Sequence, residues 1–397
     1  MNFLNELKTH SVKYMILAVL LLFCTAGVIR LNQITKVEIV NRTGQTFETG
    51  VVTQILQDNI QEDGTRVGQQ TVVVEMTSGE KKGESLTTTS SAGFLFGAPC
   101  TVGMRVIVMQ SIAGETVITS VYSMDRGMVI VGFALLYIAA LCLVGGMKGV
   151  RGAAGLIFTF VAILFVYLPL VYLGYSPFWV SVFICAITTL VTMYFIGGAT
   201  RKTLCATLGT LAGVVIAGVT ATIFSKLSGI TGWNVSDIES LMTLNQINGI
   251  QVGGLLFSGL LISALGAVMD VAMSISSAMQ EFCDQNPKIS RLELMRAGMR
   301  VGRDMMGTDS NTLILAFAGT SLSMLVLDYA YDLPFLQIIN SNNIGIAVMQ
   351  GLSGSFGIVL SVPATVVMAA YIYKAELRRR AQEREAAPAE AALEKSA

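Results

Sequence analysis

The sequence predicts a mainly α-helical polytopic membrane protein of about eight transmembrane helices, with a small extracytoplasmic β-rich, OB-like domain between the first and second helices. Three observations predict it. Of 397 residues, 53% are hydrophobic and 13% are charged, whereas soluble domains are about a quarter charged. Apolar runs of membrane-spanning length recur along the chain. One polar stretch, residues 31–126, alternates with the period of strands instead.

The same composition excludes several classes of function. Net charge is zero, so no nucleic-acid partner is expected. His10 is the one histidine, which removes histidine-based zinc and haem centres, and neither a metal nor a cofactor is expected. The six cysteines (Cys24, Cys100, Cys142, Cys185, Cys205 and Cys283) form no Cys-x-x-Cys pair and read as inert packing residues.

Residues 1–13 form a short N-terminal tail carrying Lys8 and Lys13. The apolar run 14–29 follows and reads as an uncleaved signal-anchor helix. Within 31–126, alternating segments at Glu48–Leu56, Gln70–Met76, Arg105–Gln110 and Thr116–Tyr122 are separated by turn signals at Asp63-Gly64, Ser78-Gly79-Glu80 and Ala113-Gly114. No aromatic stacking platform is visible there, which favours a cap over a ligand sensor. Residues 127–373 then carry seven apolar segments: Gly127–Gly145, Ala153–Leu173, Phe178–Ile196, Leu204–Phe224, Val252–Gln280, Asn311–Leu327 and Gly345–Tyr373. Each can cross roughly 30 Å of hydrocarbon at about 1.5 Å per residue. Residues 374–397 form a charged tail, a helix extension that frays.

Basic residues set the expected orientation. With the N-terminus inside, the inside segments hold Lys8 and Lys13, Lys148 and Arg151, Arg201 and Lys202, the group Lys288, Arg291, Arg296, Arg300 and Arg303, and the tail. The short outside loops hold only Lys226. The positive-inside rule therefore predicts a plasma-membrane protein with both termini cytoplasmic and residues 31–126 extracytoplasmic. Tyr172, Tyr175 and Trp179 suit an outer interface. Gly209-x-x-x-Gly213, with Gly218 beyond, marks a close helix crossing.

The chemistry concentrates on the run from Val252 to Glu281. Gly259, Ser263, Gly266, Asp270, Ser274, Ser277 and Glu281 follow steps of three and four residues, so they share one small-and-polar face. Asp270 is the lone charge between Ser240 and Gln280. An intramembrane acid costs about 2.5–3.5 kcal/mol on insertion scales and faces protein or water, which makes Asp270 the candidate for proton or ion coupling. Ser263, Gly266, Ser274 and Ser277 are expected to line a cavity beside it. The facing wall is expected from the run Gly302–Thr312, with Asp304, Thr308, Asn311 and Thr312 as lining or gate residues. Gly302 and Gly307 are read as a point where that helix could break.

Between these two stretches, Ser290-Arg291-Leu292-Glu293 is a capping box opening a basic amphipathic helix. Its Arg296, Arg300 and Arg303 are expected along the cytoplasmic interface. The last apolar segment exceeds a single untilted span, so a short re-entrant piece before Gly351 is weighed against one tilted helix.

Several of these stretches resemble the YibE/F-like family of bacterial membrane proteins. The resemblance rests on Leu265–Ala278 (LGAVMDVAMSISSA) with Glu281, on Gly298–Thr308 (GMRVGRDMMGT), on Asn311-Thr312-Leu313, and on Gly354-Ser355 through Pro363. It implies an anchor helix, an outside β-rich domain and a polytopic core, and it implies no substrate. Two positions depart from the family's pattern: Asp309 stands where an apolar residue is usual, and Gln350 where an arginine is common.

These observations favour an ion-coupled or passive permease whose partners are the lipid bilayer and a small solute or ion. No inverted repeat and no nucleotide-binding loop is apparent. The alternative is a membrane sensor or scaffold whose β-rich domain binds a ligand or partner. An enzyme is not expected: the Gly-x-Gly-Asp sequence of intramembrane aspartyl proteases is missing, and the chain reads Val301-Gly302-Arg303-Asp304. Oligomeric state is left open.

Overall fold

The structure, a computed structural model, describes residues 25–34, 36, 44–61, 66–91, 97–113, 116–235 and 238–394. The chain divides into two units, Lys36–Val144 and the remainder. The expected N-terminal tail and most of the signal-anchor run lie outside the described residues, as do the Asp63-Gly64 turn and Gly114. Residues 25–32 are helical.

Strand alternation builds the first unit. Strands β1 (Gln45–Gln57), β2 (Gln69–Met76), β3 (Ser85–Ser91), β4 (Arg105–Ala113) and β5 (Thr116–Met124) close into a barrel in the order β1-β2-β3-β5-β4. All pairings are antiparallel except β3 with β5. Five strands closed in this way make a small barrel without free sheet edges. Val52, Val72, Val74, Met76, Val106, Val108 and Val121 point inward and are fully buried or nearly so.

Sequence pattern missed β3, SLTTTSS, because its inward positions carry hydroxyls in place of apolar groups. Thr88 and Ser90 are buried there. Ser90 Oγ donates to the Ala98 carbonyl at 2.7 Å and accepts from the Ala98 amide at 2.9 Å. Gln70 does the same for Cys100: Nε2 donates to its carbonyl at 3.0 Å and Oε1 accepts from its amide at 2.9 Å. Two side chains thus supply the backbone partners that a neighbouring strand would otherwise provide. Burial pushes the Cys100 thiol up, which keeps it neutral and unreactive.

Helices make up the rest: α1 (Gly127–Ala162), α2 (Leu168–Tyr172), α3 (Pro177–Gly197), α4 (Arg201–Ser228), α5 (Ile238–Asn248), α6 (Leu255–Gln285), α7 (Arg291–Thr320), α8 (Leu322–Ala330), α9 (Phe335–Ile339) and α10 (Asn342–Glu394). Among the described residues, five stretches are long and apolar enough to cross a membrane: Gly127–Tyr172, Pro177–Gly197, Arg201–Ser228, Val252–Gln285 and Asn342–Ala375. A sixth exists if α7 and α8, bent by 57°, count as one span. The expected count of eight is not reproduced as such. One run lies mostly outside the described residues, and two expected spans fall on either side of a break at Gly146 (φ 53°, ψ −138°) inside one 46-residue stretch.

Another feature of that stretch traces to proline. Pro169 has no N–H for the carbonyl of Phe165, four residues back. A π-helical turn at Ile163–Tyr167 precedes it, and Asn32 Nδ2 donates to the Phe165 carbonyl at 2.8 Å.

Around α10 pack α4, α6 and α7. Their shared core holds Cys205, Val268, Val271, Ile275, Met279, Ile358, Val362, Val366 and Ala369, all buried. Glycines set the approach of the helices. A Cβ on Gly357 would lie 2.9 Å from both the Ala217 Cβ and the Gly213 carbonyl oxygen, and one on Gly213 would lie 3.0 Å from the Gly357 carbonyl oxygen. The Gly351–Gly357 stretch, which composition marks as a break, is therefore a packing face: α10 runs on without interruption, and the re-entrant alternative is not observed. Gly302 is likewise no break. It abuts Val362 and Ile275 inside an unbroken α7. That helix instead stops at Thr320, ahead of the bend into α8.

Candidate functional site

Helix α6 sorts its residues onto two faces. Leu260, Leu261, Ala264, Leu265, Val268, Val271, Ala272, Ile275 and Met279 are buried against α3, α4, α7 and α10. The polar stripe lies on the open side. Gly259, Ser263, Gly266, Asp270 and Glu281 are exposed, while Ser274 and Ser277 are half-buried. A Cβ placed on Gly259 or Gly266 meets no atom within 4 Å. The hydroxyls of Ser263 and Ser277 turn back to their own helix, donating to the carbonyls of Leu260 at 3.0 Å and Met273 at 2.7 Å. In the single chain the stripe is one wall, open on its other side.

Helix α7 begins as the sequence indicates. Ser290 Oγ accepts from the Glu293 amide at 3.2 Å, and Glu293 reaches back to the Ser290 amide at 3.0 Å. That amide, and then the Ser290 hydroxyl, hold the Glu293 carboxyl below the usual carboxylate range. Arg296, Arg300 and Arg303 are exposed. They belong to the first half of a 30-residue helix whose Gly298 and Gly302 pack on Met279 and Val362. The basic segment is thus continuous with the helix that packs into the bundle.

Among the expected wall residues, Asp304, Thr308, Asn311 and Thr312 are all exposed, and Gly307 between them meets nothing. Thr312 Oγ1 donates to the Thr308 carbonyl at 3.0 Å. Asp304 lines an open cavity of about 340 Å³ together with Phe282, Asn286, Ile289 and Arg300. The charged residue within electrostatic reach of Asp270 is Asp309, not Asp304.

Asp309 is half-buried, with Oδ2 shut off from solvent and without a hydrogen-bond partner. Beside it the Ser310 carbonyl accepts from Ser355 Oγ of α10 at 3.3 Å. The sequence signal for Asp309 was its place on the row Gly298, Gly302, Met306, Asp309, Leu313. These steps of three and four residues follow the packed face of α7, so an acid there points toward neighbouring helices.

The charge of Asp309 on α7 thus reaches Asp270 on the small-residue face of α6. Two acids so related favour a positive partner between them, either a proton or a cation.

Taken together, a small closed barrel and a set of apolar, membrane-length helices with an acid pair define a polytopic helical protein of a kind compatible with a membrane. The chain belongs to the YibE/F-like protein family, whose sequence profile matches residues 133–375. The matched region covers the helices that carry Asp270 and Asp309 and leaves out the barrel. Comparison with curated proteins and with solved structures finds no match.

Proposed function

We propose that the chain is a multi-pass plasma-membrane permease for a small solute or ion, and that Asp270 and Asp309 form its coupling site on a water-lined face. The observation that carries this reading is the placement of Asp270 on the exposed stripe of α6, beside glycines whose Cβ positions are empty, with the charge of Asp309 on α7 reaching it. An exchangeable proton or cation between two carboxyls is the element an ion-coupled permease needs. Ser274 and Ser277 flank the pair on α6, and Thr308 and Thr312 belong to the exposed side of α7.

In this reading both termini are cytoplasmic and the barrel is extracytoplasmic, following the distribution of Lys and Arg. The 46-residue stretch Gly127–Tyr172 would be about 69 Å long as one helix. That is more than twice the hydrocarbon thickness, so it counts as two spans parted at Gly146.

A second reading has one observation in its favour. Phe47 and Tyr122 form an exposed edge-to-face pair on the barrel, ring centroids 5.2 Å apart, an aromatic surface that sequence pattern did not reveal. It suits a sensor that captures a ligand or partner outside the membrane.

Flux separates the two readings. In proteoliposomes carrying imposed proton or alkali-cation gradients, the full chain is expected to dissipate at least one of them. Asp270→Asn and Asp309→Asn should each reduce that flux to the level of empty liposomes while the protein still elutes as a folded species. Unchanged flux in both variants would remove the permease reading and leave the sensor.

A further inference from the structure

A second charged feature lies away from the acid pair, where the turn between α6 and α7 meets the end of the last span. An open cavity of about 480 Å³ is lined there by Pro287, Lys288, Ile289, Ser290, Arg291, Lys374 and Leu377. It contains three cationic side chains and no acidic one. The Arg291 guanidinium is fixed 4.3 Å above the centroid of the Tyr371 ring, a cation–π contact. Its Nε is buried and has no hydrogen-bond partner.

A guanidinium normally spends its planar fork on a carboxylate or a phosphate. Two described acids of the same turn and helix start, Glu293 and Asp284, are engaged elsewhere or set apart. Glu293 caps α7 through the Ser290 amide, with Lys374 and Arg296 close enough to act on it. Asp284 acts with Lys374 on Cys283. Neither lines the cavity, so among the described residues its lining carries three cations and no acid.

The position indicates what the anion is attached to. The apolar stretches Val252–Gln285 and Asn342–Ala375 both end at this cavity, and Pro287, Ile289 and Leu377 give it apolar walls beside the charges. A ligand that presents a phosphate at the level where spans end, together with apolar chains below it, fits both features. Basic pockets between helices at the cytoplasmic end of spans take lipid headgroups in this way.

We propose that this cavity holds the phosphate of one anionic phospholipid, with Arg291 as the fork and Lys288 and Lys374 as flanking charges. The proposal rests on the membrane reading above but not on transport.

Its test is native mass spectrometry of the full chain released from detergent after exposure to phosphatidylglycerol, phosphatidylcholine or inorganic phosphate. One tightly held phosphatidylglycerol per chain is expected, with no comparable phosphatidylcholine. Removing both lysines, as Lys288→Ala with Lys374→Ala, should weaken it by about fivefold per charge. The matched pair Arg296→Ala with Arg303→Ala, on the exposed side of α7, should leave the single bound lipid in place. Lys288→Gln with Lys374→Gln serves if the alanine pair does not fold.

Equal retention of both lipids would overturn the proposal, and so would equal loss in both pairs of variants. Displacement of phosphatidylglycerol by inorganic phosphate would show a site for the free ion and would overturn the lipid assignment. None of these results bears on flux through Asp270, so the two proposals fail separately.

Discussion

Gly213→Leu is expected to abolish the folded bundle, whereas Val215→Leu two residues away is expected to leave it intact. A Cβ on Gly213 would strike the Val268 side chain and lie 2.8 Å from the Ser361 Cβ and 3.0 Å from the Gly357 carbonyl oxygen. The first of these can rotate aside. The backbone oxygen cannot, so α4 and α10 would have to move apart along their whole contact. Overpacking a tight core costs about 1–3 kcal/mol even where side chains can adjust. Here the displaced element is the helix around which α4, α6 and α7 are arranged. Val215 is 59% exposed and has room. Monodispersity in detergent and thermal unfolding of the two variants measure the contrast.

Gln70→Leu is expected to loosen the barrel without disturbing the helices. Gln70 is 1% exposed, and both ends of its amide are committed to Cys100. Leucine fills similar volume but leaves one buried N–H and one buried C=O without partners, at about 1–3 kcal/mol for each. The neighbouring hydroxyl of Ser90 is already engaged by Ala98, and the Asp58 carboxylate, which accepts from Gln70 Nε2 at 3.1 Å, would lose that donor as well. Hydrogen exchange on the full chain should show faster exchange in β2, β3 and the segment Ala98–Cys100, with the amides of α4 and α10 unchanged. Uniform protection across the barrel in the variant would show that the Gln70 clamp carries little of its stability.

How much of this was legible in the sequence depended on the kind of signal. The polar stripe of α6, the capping box at Ser290 and the close crossing at Gly209 and Gly213 are all local periodicities, and each appears where the pattern indicates. Strand β3 was not legible, because its buried positions are hydroxyls that bond a distant segment. The glycines of α7 and α10 were ambiguous for a similar reason. Composition does not distinguish a glycine that ends a helix from one that admits a neighbour, and only the partners Val362, Leu313 and Ala217 decide it.

Pairing between helices was the least legible. Asp270 was identified from its isolation among apolar residues, and Asp304 was expected as one of several wall residues facing it, whereas the acid whose charge reaches it is Asp309. The two acids sit five residues apart on α7, which turns one outward to solvent and the other toward the bundle.

The central claim is that the stripe through Asp270 is wetted by water while the opposite face of α6 is dry. Single cysteines placed by Gly259→Cys, Ser263→Cys, Gly266→Cys and Asp270→Cys, in a chain whose native cysteines are replaced by alanine, test it most directly. The account predicts that a charged, membrane-impermeant thiol reagent modifies these four in the bilayer and spares Val268→Cys and Ile275→Cys, whose native side chains are fully buried. Modification of the four only by a lipid-soluble reagent would contradict it, because the stripe would then face hydrocarbon and offer no path for an ion or solute.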